Sequence, residues 1–359
     1  PIAQELDEKG EFPHDLVKQM AELGLMGIPW EEKYGGTGMD TLALVIAIEE
    51  LGKECCSTAA TLMAHTSLGT APIVMFGTNK QKEKYLPDLA SGKKIGAFGL
   101  TEPGAGSDAG NTKTRAVLEG DNFIINGEKA FCTNAGVSSV LIFTAVIIEN
   151  GKENGISAFV VDSNTEGISF SIPEKKMGWC ASDTRSIFFK DMQIPKSAIL
   201  GNPEKGFKQF LKTLTSGRIT IAALSIGTAQ GAYNRALAYS QEREAFGKSI
   251  NRFQGISFKL SDMATQIEAA RHLVYHAAWK KDQGHSVIKE ASMAKLFSSE
   301  MAMQVTTEAI QIFGGYGYIK EYDVERFFRD AKILEIGEGT SEIQRIIIAK
   351  QILESAQPL

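Results

Sequence analysis

The segment NFIINGEKAFCT, from Asn122 to Thr133, decides the fold class, because it follows a long stretch of the chain that has helical periodicity. It is rich in strand-forming residues and is divided by turn-forming residues. The pair Asn126–Gly127 within it is a strong signal for a tight β-hairpin turn. The segment therefore predicts paired strands, with a hairpin at Asn126–Gly127.

The same strand-like pattern extends outward, from about Phe98 to Gly206, through the runs SVLIFTAVI, ISAFVVDS, ISFSI and RSIFFKDMQI. Apolar residues recur at helical spacing before this region, as in FPHDLVKQMAELGLMGI, and after it, as in ITIAALSIGTAQGAYNRALAYSQERE. Strands and helices do not alternate, which argues against a Rossmann fold. We therefore expect an α+β multidomain chain, with an N-terminal helical domain (1–97), a middle β-domain (98–206) and a C-terminal helical bundle (207–359).

Composition argues against several classes of function. The 359 residues carry a net charge of −5, so no overall basic balance favours nucleic acid or an anionic membrane. The four cysteines form no CxxC pair and no paired spacing with the five histidines, which predicts no metal site. No apolar run is expected to cross a membrane. Few cysteines fit a reducing compartment, so we expect a bacterial cytoplasmic location, or the mitochondrial matrix if a transit peptide is removed.

The motif GLTEPGAGSDAG, from Gly99 to Gly110, is a candidate binding loop at the entrance to the β-region. Its glycines free backbone N–H groups, and Thr101 and Ser107 add hydroxyl donors for a flat or anionic ligand. The alternative is a flexible loop without a ligand.

The motif KAFCTNAG, from Lys129 to Gly136, places Phe131 and Thr133 on the same face of a strand. There the ring could stack on a ligand while the hydroxyl donates to it; the alternative is a core aromatic beside a turn. Cys132 would face the opposite side as a buried, inert thiol.

Three further motifs lie in the C-terminal helical region. SGRITIAA places Arg218 near the start of a long helix, where a cation is unfavourable for the helix dipole, so an anionic partner is expected. This partner is either a ligand or an ordinary Asp or Glu. The motifs EREAFGKSINRFQ and QIFGGYGY are, taken alone, typical of helix caps and turns.

Glu338 stands between two glycines in ILEIGEGTSEIQR, from Ile333 to Arg345. Glycines let other groups approach the backbone closely. Ser341 and Gln344 have capping-box spacing, so a helix is expected to begin at Ser341. Glu338 is then either an acid stabilised by that helix N-terminus or a group positioned to meet a substrate.

Taken in order, LTEPGAGSD, AFCTN, RxxFGK with a following FQ, QIFGGYGY, RDAKI and EGTSEIQR resemble the acyl-CoA dehydrogenase family over essentially the whole chain. The resemblance implies an N-terminal helical domain, a central antiparallel β-barrel-like domain and a C-terminal four-helix bundle, assembled as a homotetramer. It also implies bound FAD and oxidation of an acyl-CoA to trans-2-enoyl-CoA, with electrons passed to electron-transferring flavoprotein.

The resemblance implies FAD contacts from the β-domain, from helical segments that reach the cofactor of a neighbouring subunit, and from the start of the last helix. Phe131 stands where many members have Trp, which predicts a smaller stacking contact, and Thr133 is expected near flavin N5. The implied residues are Phe98, Leu100, Thr101, Gly106, Ser107, Phe131, Cys132 and Thr133; Arg243, Phe246, Gln254, Gln311, Phe313, Gly314 and Gly315; and Thr340, Ser341 and Glu342.

Glu338 matches the family's catalytic base, which removes the Cα proton while the Cβ hydride moves to flavin N5. The backbone N–H of this glutamate and a flavin hydroxyl are expected to stabilise the thioester oxygen, and burial beside the substrate is expected to raise the pKa of the base. Gly337 and Gly339 are then close-approach positions. The implied acyl-CoA contacts are Ser107, Thr215, Arg218 and Gly339, with Thr215 standing where many members have Asp.

Two positions narrow the substrate. Gly217 occupies the site where isovaleryl- and long-chain-type members carry their base, so Glu338 has no rival there. The segment CSTAATLMAHTSL lacks the arginine that glutaryl-CoA dehydrogenases use for a second carboxylate. A short-chain, butyryl-type substrate is therefore favoured, although Gly337, where tyrosine is common, widens the pocket. The alternatives are an enoyl-CoA reductase running in the reverse direction, an acyl-CoA oxidase, and a catalytically silent flavin or acyl-CoA binding protein.

Overall fold

The computed structural model describes residues 2–203 and 205–355, and it has an eight-stranded, mostly antiparallel sheet in the middle of the chain. The strand order is β6-β7-β3-β2-β4-β5-β8, and β1 and β2 pair in parallel with successive parts of β4. The other pairs are antiparallel. The strands are β1 (Gly96–Gly99), β2 (Arg115–Glu119), β3 (Asn122–Thr133), β4 (Val140–Glu149), β5 (Lys152–Asp162), β6 (Ile168–Phe170), β7 (Thr184–Pro195) and β8 (Ile199–Leu200).

The hairpin predicted at Asn126–Gly127 is wrong. β3 runs through this pair with only a shift of register against β7. Gly127 is needed there for close packing, because a Cβ on it would lie 2.6 Å from Thr114 Cα. The chain instead reverses between β2 and β3 at Gly120–Asp121, where Gly120 has φ +61°.

Helices flank the sheet in sequence, as expected. Beyond β8 a short hairpin of β9 (Glu244–Ala245) and β10 (Lys248–Ser249) separates two long helices. The helices are α1 (Ile2–Lys9), α2 (His14–Glu22), α3 (Thr41–Gly52), α4 (Cys56–Met63), α5 (Ala71–Phe76) and α6 (Asn79–Ala90), then α7 (Gly206–Glu242), α8 (Gln254–Asp282), α9 (Ile288–Phe313), α10 (Val324–Ala331) and α11 (Ser341–Ser355).

Helices α7, α8 and α9 pack on one another, and α11 lies against α9. Helix α3 of the N-terminal region packs on α7 and α8, so the two helical regions share one hydrophobic core. The sheet has a core of its own, built around residues such as Phe143 and Phe159. The architecture therefore agrees with the helical, sheet and helical order expected from the sequence.

Helix α7 begins at Gly206, so Arg218 lies well inside it and not near its start. The expectation that Arg218 would meet an unfavourable helix dipole is therefore wrong, since that effect is confined to the terminal turns. The anionic side chain near Arg218 is brought there by a turn of the chain, described below, and not by the helix dipole.

One helical run in the described chain, Cys56–Phe76, is long and apolar enough by composition to cross a membrane, which corrects the expectation that no such run exists. Within the protein, 78% of its window is buried, as is common for a core helix. Its central part, Ala64–Thr70, has π-helical hydrogen bonding.

Candidate active site

Glu338 lies in the turn between the 3₁₀ segment Lys332–Glu335 and helix α11, and it has a left-handed backbone with φ 55°. Gly339 follows with φ +94°. The turn directs the Glu338 carboxyl at helix α7, where a Cβ on Gly217 would overlap Oε2. At Gly337, by contrast, a Cβ would meet only ordinary neighbours, 3.4 Å and 3.7 Å away. Of the two flanking glycines, only Gly339 is therefore a close-approach position, since a Cβ on it would lie 2.8 Å from Gln344 Nε2, and Gly217 is a second one on a different element.

Two side chains hold this turn through the same carbonyl oxygen. Lys295 Nζ on α9 donates to the Gly339 carbonyl oxygen at 2.8 Å, and Gln344 Nε2 on α11 donates to the same oxygen at 2.9 Å. Helix α11 begins at Ser341 as expected, but the predicted capping box is wrong. Thr340 Oγ1 accepts from the Ile343 N–H at 3.4 Å, because the side chain of Gln344 is engaged by the turn instead.

The carboxyl group of Glu338 is buried, and neither of its oxygens has a hydrogen-bond partner within the described residues. Burial raises the pKa of Glu338 to about 7, while the charges of Lys295 and Arg218 oppose this rise. Burial also lowers the pKa of Lys295 to about 8. At neutral pH both the acid and the carboxylate forms of Glu338 are populated, which suits a group that exchanges a proton with a substrate.

The four residues expected to contact acyl-CoA differ in burial and in the elements that carry them. Arg218 is only 4% exposed, its Nε lacks a partner in the described part of the chain, and its charge acts on Glu338. Gly339 lies in the same turn as Glu338. Thr215 is half-buried on α7 and donates to the Leu211 carbonyl, whereas Ser107 is exposed in the loop after β1.

The glycine-rich loop Gly99–Gly110 is anchored to the sheet. Glu102 is buried and forms an ion pair of 2.7 Å with Lys129 on β3, which is also buried. Glu102 also accepts from the backbone N–H groups of Lys113 and Thr114, at 2.6 and 3.1 Å. These contacts attach the Glu102 end of the motif to the sheet. The expected contact residues Gly106 and Ser107 are exposed, Thr101 is half-buried, and Leu100 is buried.

Phe131 is 68% exposed and has φ 55°, in an irregular part of β3. The alternative of a core aromatic is therefore wrong. Cys132 is buried, as expected for the opposite face, and burial raises the pKa of its thiol to about 12. Thr133 is half-buried, while Phe98 stacks on Phe210 of α7, with ring centroids 4.1 Å apart.

A separate cavity of about 730 Å³ lies between α7, α8 and α9, and all its lining residues belong to the C-terminal region. Phe246 at its edge is 95% exposed, at the tip of the β9–β10 hairpin. Gln254 and Gln311 are exposed nearby in sequence but do not line the cavity. The expected cofactor residues that do line it are Arg243, Phe246, Phe313, Gly314 and Gly315.

Two residues of the Glu338 site were missed from the sequence. Lys295 lies in ASMAKLF, at a helical position with small residues before and after it. A lysine is unusual at a buried position, so a lysine within this pattern of small residues was the available signal. Leu68 lies 3.2 Å from a Cβ built on Gly217, and it comes from the π-helical segment, which no local pattern indicated.

Comparison with known proteins gives three matches along the chain to models of the acyl-CoA dehydrogenase N-terminal domain (residues 1–93), middle domain (97–192) and C-terminal domain (204–353). The chain is 49% identical to an acyl-CoA dehydrogenase, short-chain specific, from Clostridium acetobutylicum, over 98% of this chain and 93% of that one. It is 44% identical to the caffeyl-CoA reductase-Etf complex subunit CarC of Acetobacterium woodii, over 98% and 93% of the two chains. The solved structure of butyryl-CoA dehydrogenase from Megasphaera elsdenii matches with a TM-score of 0.96 and 46% identity, over 98% and 93% of the two chains.

Proposed function

The chain belongs to the acyl-CoA dehydrogenase family, and on that premise we propose that it dehydrogenates a short-chain acyl-CoA between Cα and Cβ, with Glu338 as the base. The single observation that carries this proposal is the Glu338 carboxyl, which is buried, without a hydrogen-bond partner in the described chain, and has a pKa of about 7. A carboxylate whose lone pairs are not engaged is available to accept a proton from a substrate carbon.

The residues of this chain fit the FAD on which the proposed reaction depends. Phe131 offers an exposed ring, and a Cβ on Gly104 or Gly106 would meet no atom within 4 Å, so a ligand can approach the loop backbone. The hydroxyl of Ser341 is buried without a partner in the described residues, at the start of α11. When bound, FAD supplies the acceptor for the hydride of Cβ.

Loop residues Thr101 to Ser107, the Phe131–Thr133 segment and the start of α11 would hold one FAD in this chain. The cavity at Arg243 and Phe246 would contact the FAD of a second subunit, as part of a homotetramer. Phe246 is far more exposed than an ordinary phenylalanine, which supports the contact of this surface with a second subunit.

A neutral acyl chain is supported by the side chains around the π-helical segment. The Cys55–Leu68 segment carries no arginine or lysine, and its one histidine, His65, accepts from the Gly96 N–H and faces the Leu89 carbonyl oxygen at 3.0 Å. Burial lowers the pKa of His65 to about 4, so the ring is neutral at pH 7. This segment therefore offers no cation to a second carboxylate, which supports a monocarboxylic acyl group.

The reverse reaction, reduction of an enoyl-CoA, is the second candidate. It is supported by the similarity to the caffeyl-CoA reductase-Etf complex subunit. A pKa of about 7 lets protonated Glu338 return a proton to Cα as readily as the carboxylate removes it. In either direction we propose electron-transferring flavoprotein as the redox partner.

The test is anaerobic mixing of the purified protein with butyryl-CoA, followed at the flavin absorbance. We expect the yellow colour to bleach, and Glu338→Gln to keep FAD and acyl-CoA while slowing bleaching by about 10²–10⁴-fold or more. Glu335→Gln is the matched control, because Glu335 lies three residues away and pairs with Lys332 at 2.6 Å.

Bleaching of Glu338→Gln at close to the wild-type rate contradicts the role of this residue. A wild-type protein that no acyl-CoA of a chain-length panel bleaches is instead a silent binding protein. Rapid recolouring in air with peroxide formation identifies an oxidase.

A further inference from the structure

Lys295 is fully buried in the middle of α9, a helix whose other buried residues include the small residues Ala291, Ala294 and Ala302. Burying an ammonium group has a high desolvation cost, and lysine is seldom found fully buried without a partner. A methionine would fill a similar volume without that cost. The charge at this position therefore calls for an explanation beyond packing.

The hydrogen bond made by Lys295 points to its role. Its Nζ donates to a backbone carbonyl, that of Gly339, which is the residue directly after the base. Consecutive Cα atoms are about 3.8 Å apart, so the ammonium group is held close to the backbone of Glu338. Together with Gln344, Lys295 fixes a turn in which both Glu338 and Gly339 have left-handed backbones.

The charges around Lys295 come from four parts of the fold. Glu338 and Glu335 lie in the turn region, Glu300 lies on α9 itself, and Glu342 begins α11. Arg218 on α7 is the second cation that acts on the base. Of these groups, the Glu338 carboxyl is buried with no hydrogen-bond donor in the described chain, so the two cations are what favours its ionised form.

We propose that Lys295 is a positioning residue for the base: its ammonium group fixes the backbone turn that carries Glu338 and keeps the carboxyl ionised enough to accept a proton. The proposal rests on the proposed function for its purpose, since it assigns Glu338 as the base. The effect of the buried Lys295 cation on the buried Glu338 carboxyl can be measured without catalytic turnover.

The experiment is an infrared pH titration of the Glu338 carboxyl in the FAD-loaded protein, with the band identified by its loss in Glu338→Gln. In Lys295→Met we expect the pKa of Glu338 to rise by on the order of one unit, the low end of the effect of a nearby opposite charge. The ionised fraction at pH 7 then falls about fivefold, and the acid limb of the pH profile for flavin reduction moves upward by the same amount.

Three further variants complete the design. Lys295→Arg keeps the charge and is expected to titrate like the wild type. Lys295→Gln keeps a donor for the Gly339 carbonyl but removes the charge, so its titration is expected to shift like that of Lys295→Met. Lys289→Met, on the first turn of the same helix, is the matched control and is expected to leave the Glu338 titration unchanged.

An unchanged Glu338 titration in both Lys295→Met and Lys295→Gln overturns the proposal, as does an equal shift in Lys295→Arg. If Lys295→Met does not fold, Lys295→Gln and Lys295→Arg still decide the question. Failure of the wild type to reduce flavin with any acyl-CoA counts against the proposed function only, because the infrared titration does not depend on it.

Discussion

The backbone of Glu338 has φ 55°, a conformation that residues other than Gly, Asn and Asp seldom adopt. Such a residue costs roughly 1–3 kcal/mol and persists only when its surroundings hold it. Here two donors to the Gly339 carbonyl, from Lys295 and Gln344, hold the turn. Together these two donors direct the Glu338 carboxyl at Gly217, which has no side chain.

The contact with Gly217 leads to a prediction at the residue scale. In Gly217→Ala the new Cβ would overlap Oε2 of Glu338, so the carboxyl has to move away from α7. Displacement of a catalytic group by about 1 Å can cost on the order of 10²-fold in rate. We expect a loss of this size in anaerobic flavin reduction by butyryl-CoA, with FAD content unchanged.

Gly337→Ala is the companion variant, because it adds the same methyl group one residue before Glu338, where the nearest atom is 3.4 Å away. We expect a much smaller loss of rate there. Equal losses in the two variants would show that flexibility of the turn matters, and not the space at Gly217.

At the scale of elements, the loop Gly99–Gly110 shows how a segment without regular structure is fixed. Its carboxylate Glu102 lies inside the protein and accepts from Lys129 and from two backbone N–H groups. Lys129 also donates to the Leu100 carbonyl and to Thr144 Oγ1, so one ammonium group joins the loop to β3 and β4. The loop can therefore present Gly106 and Ser107 in a defined place.

Removal of one partner of this buried pair is predicted to be costly. Lys129→Met leaves Glu102 as an unpaired buried charge, which typically destabilises by about 3–5 kcal/mol. We expect a lower melting temperature and loss of FAD on gel filtration. The double variant Glu102→Gln with Lys129→Met removes both charges and is expected to recover much of the melting temperature. A double variant no more stable than Lys129→Met would contradict this explanation.

At the scale of the whole molecule, one buried carboxyl joins the β-domain to the helical region. Asp330 on α10 accepts the backbone N–H of Trp179 at 2.5 Å, and Trp179 lies in the segment between β6 and β7. Gly178 is required beside it, because a Cβ there would lie 2.5 Å from the Arg329 carbonyl oxygen. Burial raises the pKa of Asp330 to about 6 although Arg326 lies nearby.

This contact predicts how stability depends on pH. The folded protein holds the Asp330 proton up to about pH 6, whereas an unfolded aspartate releases it near pH 4. The Asp330 contribution to the unfolding free energy is therefore greatest below about pH 4 and declines as the pH rises towards 6. In Asp330→Asn, the unfolding free energy lacks this dependence on pH.

We expect the melting temperature of the wild type, relative to Asp330→Asn, to fall between about pH 4 and pH 6 and then to level off. Asp121→Asn, at a fully exposed carboxyl, controls for the loss of one negative charge. A difference that rises with pH over this window would show that Arg326 dominates over burial.

Local sequence patterns were enough to predict the order of helical, sheet and helical regions and the family, and they pointed to Glu338 as a residue of interest. These features are carried by local periodicity and by motifs whose residues are close in the chain, such as EGTSEIQR. The inward position of Cys132 followed from alternation along a strand in the same way.

The surroundings of Glu338, by contrast, depend on contacts between residues that are far apart in the chain. Gly217, Leu68 and Lys295 come from three separate elements, and their meeting depends on how helices pack and on a π-helical segment. For the same reason Asn126–Gly127 lies at a register shift of β3 against β7, with Gly127 packed against Thr114, and does not form a turn. Local propensity is weaker than burial and close packing, so the neighbours of a residue in space cannot be read from its neighbours in the chain.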